Sequence, residues 1–462
     1  MIQPTHHNNQ DADIQQRVWR SIFPIPLAKQ AEAGRKKFYR NNLFFHFRPP
    51  NVKEKTLKFT HTWGLGGIAA TLVLLQMATG ILLKFIYTPT PVDAYASVRV
   101  LVTHIPFGRL IRNAHHWSAT FLVLVLLLHM LRVFFTGAFH PPRQFNWVVG
   151  LLLFGLVMAA NLSGYLLPYD QLAYWAITVI AAMIGYLPFI GGRLQQFMGL
   201  GADMSAGTLP FFFSMHTAII PVLLLFLMVF HFWRIRKAGG VVVPRKPGER
   251  IEVNSPTVPF APHLLVRELA TAMSTAAVIL LFAVFFDAPL SAQANPGLSP
   301  EVVRAPWYFA GFQELLLHLH PSVVVSAVPL LTGIFFLGLP YFVYGVTTEG
   351  IWYATGRGKR LTAMTAAAGL VLVPLLVVMD TVALKAETKK FYMPPILQDG
   401  LIPLMVFLII LSGVISTLRI KKEFTTGEIV QCLFVFQVSA YIALTIVSVF
   451  FRGPSMQLMW PF

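Results

Sequence analysis

Nine stretches of the chain run for about twenty residues almost without charge, and polar, basic or proline-rich segments separate them. They lie near 62–87, 112–136, 146–168, 211–234, 265–286, 322–345, 361–380, 400–419 and 429–451. A helix needs about 20 apolar residues to cross the hydrocarbon of a bilayer, so each run predicts one spanning helix and the whole predicts an all-α polytopic membrane protein. The stretch "YWAITVIAAMIGYLPFIGG" (174–192) is apolar too. Pro188 and the paired glycines leave it too short to span, and it reads as a helix lying over the outer face. The region 238–263, rich in Gly, Pro and Val, reads as a linker. The expected domains are therefore a basic amino-terminal segment (1–60), a four-helix bundle (61–237), the linker, and a second membrane module (264–462) with five helices after a loop at 287–321. No repeat of 20–50 residues is apparent.

Composition agrees with this pattern. Hydrophobic residues make up 56% of the 462, charged residues only 12%, and the mean hydropathy is +0.64; a soluble domain carries about 25% charged residues. Charge adds an orientation. Of 36 lysines and arginines, 25 fall in the amino-terminal segment and the loops on its side, and 9 on the other side. The positive-inside rule then puts the amino terminus in the cytoplasm and the carboxyl terminus opposite, as expected in a bacterial inner membrane. The net charge of +17 sits where anionic lipid headgroups lie and calls for no nucleic acid. A single cysteine, Cys432, excludes a disulfide framework, a Cys-ligated iron–sulfur cluster and a CxxCH haem attachment within the chain. No cleavable signal peptide is visible in the polar, basic first 60 residues.

Intramembrane ionisable side chains are costly and usually functional, yet "RNAHHWSATFLVLVLLLHM" (112–130) carries three histidines. On a straight helix His115 and His129, 14 apart, lie about 40° from alignment and roughly 21 Å apart along the axis, whereas His116 faces almost opposite to His129. In "SMHTAIIPVLLLFLMVFHF", His216 and His231 are 15 apart, about 60° from alignment. Two helices thus each present an upper and a lower histidine, so that His115 can face His216 and His129 can face His231. Haem iron takes axial His readily, whereas a structural zinc wants four ligands at one depth. Glycines repeat the interval: Gly66 and Gly80 in the first span and Gly150 and Gly164 in the third are also 14 apart. A flat macrocycle between helices needs the close backbone approach that glycine permits, so two haems at two depths are expected.

These stretches, with "GYLLPYDQLAYWA", "TPTPVDAYASV" and "LLQMATG", resemble the cytochrome b subunit of cytochrome bc complexes. The resemblance is close over residues 60–240, and its 14/15 spacing is nearer the split photosynthetic form than the mitochondrial one. It implies two non-covalent b haems: an outer, low-potential one on His115 and His216, and an inner, high-potential one on His129 and His231. Arg112 and Arg132 match arginines that meet haem propionates, a task suited to a guanidinium fork. Quinol would be oxidised near the outer face. One electron would leave to a Rieske-type iron–sulfur or cytochrome c subunit, and the other would cross through the haems to an inner quinone site. That inner site is expected near His231, Arg236 and the amino-terminal segment. A homodimer within a larger complex is implied as well.

The second half resembles the family more loosely. "APWYFAGFQELL" (305–316) stands where the family has Pro-Glu-Trp-Tyr at the quinol-oxidising site, with Tyr308 in register but Pro306 in place of the glutamate. Glu314, eight residues downstream, is the candidate substitute; the alternative is a structural loop helix with Glu314 in contact with water. Phe211 replaces a family arginine beside the outer haem. Gly64 replaces the cysteine that anchors an extra haem in the split form, so no covalent third haem is expected. Five helices after the linker, rather than three or four, also depart from the family. A rival reading keeps both haems but only one quinone site, serving a multihaem partner without bifurcation. A transporter using the histidines as a proton relay would leave the paired glycines unexplained.

Overall fold

The structure is a computed structural model that describes residues 14–22, 51–200, 205–245, 249, 256–300, 303–344, 349–353, 355–384, 393–420 and 424–460. Most of the expected amino-terminal segment and part of the expected linker lie outside these residues. Among the described residues nine helices are long and apolar enough to span a membrane. We label the helices α1 (Ile14–Ile22), α2 (Leu65–Lys84), α3 (Ala94–Thr103), α4 (Gly108–Phe135), α5 (Gln144–Leu166), α6 (Gln171–Gly185), α7 (Thr208–Lys237), α8 (Phe260–Phe285), α9 (Trp307–His318), α10 (Val323–Tyr341), α11 (Gly356–Val382), α12 (Leu397–Thr417) and α13 (Thr426–Phe450). α1, α3, α6 and α9 do not span. The chain is an all-α multi-pass membrane protein, with one small exception. Two three-residue strands, β1 (Asn51–Lys53) and β2 (Thr257–Pro259), pair antiparallel and tie the start of α8 to the chain before α2.

The spanning helices keep their backbone bonds internal, as a bilayer demands, and their outer faces stay apolar: Leu74, Ile81, Val222 and Phe226 are all exposed. Between α2, α4, α5 and α7 lies a core of Leu72, Val73, Leu122, Val123, Val157 and Leu224. By number these sit halfway between the glycines or histidines of each helix, so an apolar layer occupies mid-depth. α8 joins the same core through Ile279 and Ala283 and packs on α2 and α4. A second core, built on Phe434 of α13, Phe134, Trp147 and Leu339, fastens the later helices to one end of α4 and α5.

Three spans tighten or loosen their winding where a proline interrupts them. α7 makes a π turn at Met215–Ile219, closed by Ile220 N–H donating to Met215 O, one residue before Pro221. The same arrangement precedes Pro329 in α10 and Pro403 in α12. Proline lacks the N–H and crowds the carbonyl four residues back, and a wider turn relieves that clash.

Candidate functional site

The π turn in α7 carries His216 and absorbs one residue. The 15-residue interval to His231 therefore acts as 14 helical steps, and the offset falls from the expected 60° to about 40°, the value on α4. His115 and His216 face each other across the bundle with ring centroids 6.2 Å apart and ring planes at 76°. His129 and His231 are neighbours at the opposite end. His116 points elsewhere and packs edge-on against Trp117.

Each of the four glycines backs one of the four histidines. A Cβ on Gly164 would lie 2.5 Å from His216 Cε1, and one on Gly80 3.2 Å from His115 Cε1. At the other level, Gly66 and Gly150 leave 3.6 Å to His129 and His231. The interval of 14 thus serves ring placement directly: the helices approach until backbone meets imidazole edge.

Residues beside those glycines orient the rings. Thr79 Oγ1 donates to Leu75 O, leaving its lone pairs to accept from His115 Nδ1 at 2.9 Å. His216 Nδ1 lies 3.0 Å from Ala160 O and 3.2 Å from Ser163 Oγ. A carbonyl can only accept, so Nδ1 carries the proton and Nε2 keeps a free lone pair. Gln76 braces the other side of His115, donating to its carbonyl and to Ser118 Oγ. At the lower level His231 Nδ1 lies toward the Asn146 carbonyl without completing a hydrogen bond. Thr79 and Ser163 were not singled out from sequence, although each precedes its glycine.

These residues fit a haem. Two metal–nitrogen bonds of about 2.0 Å, plus about 1.2 Å from each nitrogen to its ring centre, put bis-imidazole centroids roughly 6.4 Å apart, close to the observed 6.2 Å. Arg132 is buried, donates to His61 O at 3.3 Å and leaves Nη2 without a partner. A buried guanidinium with an unpartnered Nη2 suits a carboxylate. Arg112 differs, because its fork is engaged by Ala288 O and Pro289 O at 2.8 and 2.6 Å. Arg236, in the last turn of α7, lies within reach of Glu268 of α8. Phe211 packs against Phe197 and Phe212. Gly64 holds a left-handed φ of +61° and faces Thr271.

Pro306 caps α9, and Tyr308 OH donates to Asn161 Oδ1 at 3.3 Å. Asn161 follows the residue whose carbonyl meets His216, so Tyr308 belongs to the His115–His216 end. Burial raises the Tyr308 phenol above its ordinary value. Glu314 is on the same helix but turns toward α13, which packs so close to α9 that a Cβ on Gly311 would lie 3.0 Å from Tyr441 O. It is fully buried rather than in contact with water. Burial opposes its ionisation, but its hydrogen bonds with His318 and Arg452 and the guanidinium charge outweigh that and hold its carboxyl below the usual range.

Residues 52–239 match the family described as Cytochrome b/b6/petB. Similar curated proteins include the cytochrome b6 of Gracilaria tenuistipitata var. liui, 41% identical over 175 residues, which are 38% of this chain and 81% of that one. The cytochrome b6 of Emiliania huxleyi is 42% identical over the same shares. Among solved structures, a chain of a "Hyperthermophilic respiratory Complex III" superposes with a TM-score of 0.62 at 24% identity, covering 90% of this chain and 97% of that chain; that likeness is one of fold.

Proposed function

The chain belongs to the cytochrome b family, and from that premise we propose that it is the dihaem membrane subunit of a bc-type quinol oxidoreductase. The observation that carries the proposal is the facing pair His115 and His216, at iron-spanning distance and each seated on a glycine. His129 and His231 are neighbours at the other level, backed by Gly66 and Gly150. Haem, when bound, supplies one-electron chemistry.

The chain's own residues do the rest. Thr79, Ser163 and Ala160 fix the tautomer and ring angle of the upper histidines. Arg132 offers its unpartnered Nη2 to an anionic substituent of a haem, and Arg112 offers its fork once its loop carbonyls yield. The mid-depth apolar layer keeps water from joining the two levels. Tyr308 positions a quinol hydroxyl near the upper level, Glu314 accepts protons, and Arg236 attracts charge on a quinone at the lower level. The subunit resides in a bacterial inner membrane with its amino terminus in the cytoplasm. A Rieske-type iron–sulfur or cytochrome c subunit takes one electron and the haem levels the other, within a homodimeric complex.

The test is a redox titration of the reduced-minus-oxidised spectrum, with haem extracted and counted. Two non-covalent b haems with separate potentials are expected, and His129→Ala should remove only one. One haem or none would overturn the proposal.

A further inference from the structure

Four ionisable side chains apart from the histidine levels meet at the His115–His216 end. Glu314 Oε1 is 3.1 Å from His318 Nε2, one turn along α9. His318 Nδ1 is 2.6 Å from Asp380 Oδ2 of α11. Arg452, just beyond α13, donates to both Glu314 oxygens and to Met456 O, and its Nη2 lies 3.2 Å from His318 Nε2. Arg304 in turn donates to the Arg452 carbonyl at 2.6 Å. Side-chain exposure climbs along the line, from 0% at Glu314 to 10% at His318 and 25% at Asp380. A cleft lined by Leu317, Thr381, Arg452 and Gln457 opens beside it.

We propose that Glu314, His318 and Asp380 form a proton relay leading out of the quinol-oxidising site, with His318 as the transfer residue. The proposal rests on the quinol-oxidising reading above. An imidazole with one nitrogen toward each of two carboxylates can gain and lose a proton in one event. The proton originates on a quinol hydroxyl whose electrons leave to the one-electron carriers, and Glu314 accepts it. The Glu314 carboxyl then passes it to Nε2 while the Nδ1 proton moves to Asp380. One N–H bond forms, another breaks, and the ring ends neutral with its tautomer exchanged. Asp380, the most exposed of the three, yields the proton to water, and the Arg452 guanidinium favours return of Glu314 to its ionised, accepting state.

Among the described residues, the groups facing His318 are Glu314 from its own helix, Asp380 from α11 and Arg452 from the chain after α13. A purely structural Glu314–Arg452 pair needs neither the imidazole nor the second carboxylate.

The experiment uses the assembled complex and follows haem reduction by a short-chain quinol analogue, from acid to alkaline pH. Wild type is compared with His318→Gln and Asp380→Asn. Both variants are expected to lose about 100-fold in rate, to lose the wild-type pH dependence, and to keep haem content and midpoint potentials. Asp380→Asn retains a hydrogen-bonding group beside Nδ1 at the more exposed end of the line, so it decides the matter where His318→Gln loses haem. Wild-type rates and pH dependence in a haem-replete variant would overturn the relay alone. A two-haem wild-type complex that quinol cannot reduce would overturn the quinol-oxidising reading and the relay with it.

Discussion

The two histidine levels share an interval but not a fit. At the His115–His216 level both rings press on glycine backbone, at 3.2 and 2.5 Å from a would-be Cβ, and both Nδ1 atoms have acceptors. At the His129–His231 level the clearance is 3.6 Å on both sides and the His231 Nδ1 has no completed hydrogen bond. The lower level has instead a buried arginine with an unpartnered Nη2, while its upper counterpart is tied to loop carbonyls. One level is held through its rings and the other has an unfilled charge contact. An imidazole whose Nδ1–H is bonded is a more basic ligand and stabilises the oxidised metal. Of two haems held as proposed, the upper should therefore have the lower potential for a reason visible in this chain.

The sharpest way to break this comparison is Gly164→Ala. The added methyl meets His216 at 2.5 Å, so most of one haem should be lost, read as half the extractable haem. Gly66→Ala and Gly150→Ala meet ordinary contact distances and should keep both haems. A smaller effect is expected of Arg132→Ala, which should weaken retention of the lower haem about 10-fold in a dilution or haem-transfer assay. Arg112→Ala should cost less, since its fork is already satisfied by Ala288 and Pro289. The smallest effect belongs to Thr79→Val, which keeps shape but removes the acceptor from His115. It should raise only the lower midpoint, by less than the roughly 59 mV that accompanies a tenfold change in relative affinity of a one-electron couple. An unchanged lower midpoint would separate hydrogen bonding from the asymmetry.

Much of this architecture was legible as pattern. Run length alone located nine spans, and Pro188 kept α6 out of the count, because both follow from the fixed thickness of hydrocarbon. Pairing four histidines with four glycines needed only the helical repeat. The π turn escapes the 3.6-residue repeat, which treats the span as a straight helix, although its signal, Pro221 within an apolar run, stands in plain view. Glu314 reads from the sequence as a proton acceptor or a water-exposed residue, and its sealing by Arg452 is hidden there because the partners are 138 positions apart. The packing of α8 on α2 and α4, and the ribbon joining residue 51 to residue 259, have the same cause. Apolar faces advertise that they pack, not against what.

The dry layer of Leu72, Val73, Leu122, Val123, Val157 and Leu224 has an electrical consequence. It carries no group that could hand a proton onward, so charge passing between cofactors held as proposed at the two levels is electron charge alone. The levels stand about 21 Å apart on a straight helix, some two-thirds of a hydrocarbon core of about 30 Å. Each transferred electron then does work against roughly two-thirds of the membrane voltage, about 1.5 kcal/mol at 100 mV. The rate between the levels becomes a gauge of how fully the membrane is energised, set across six aliphatic side chains.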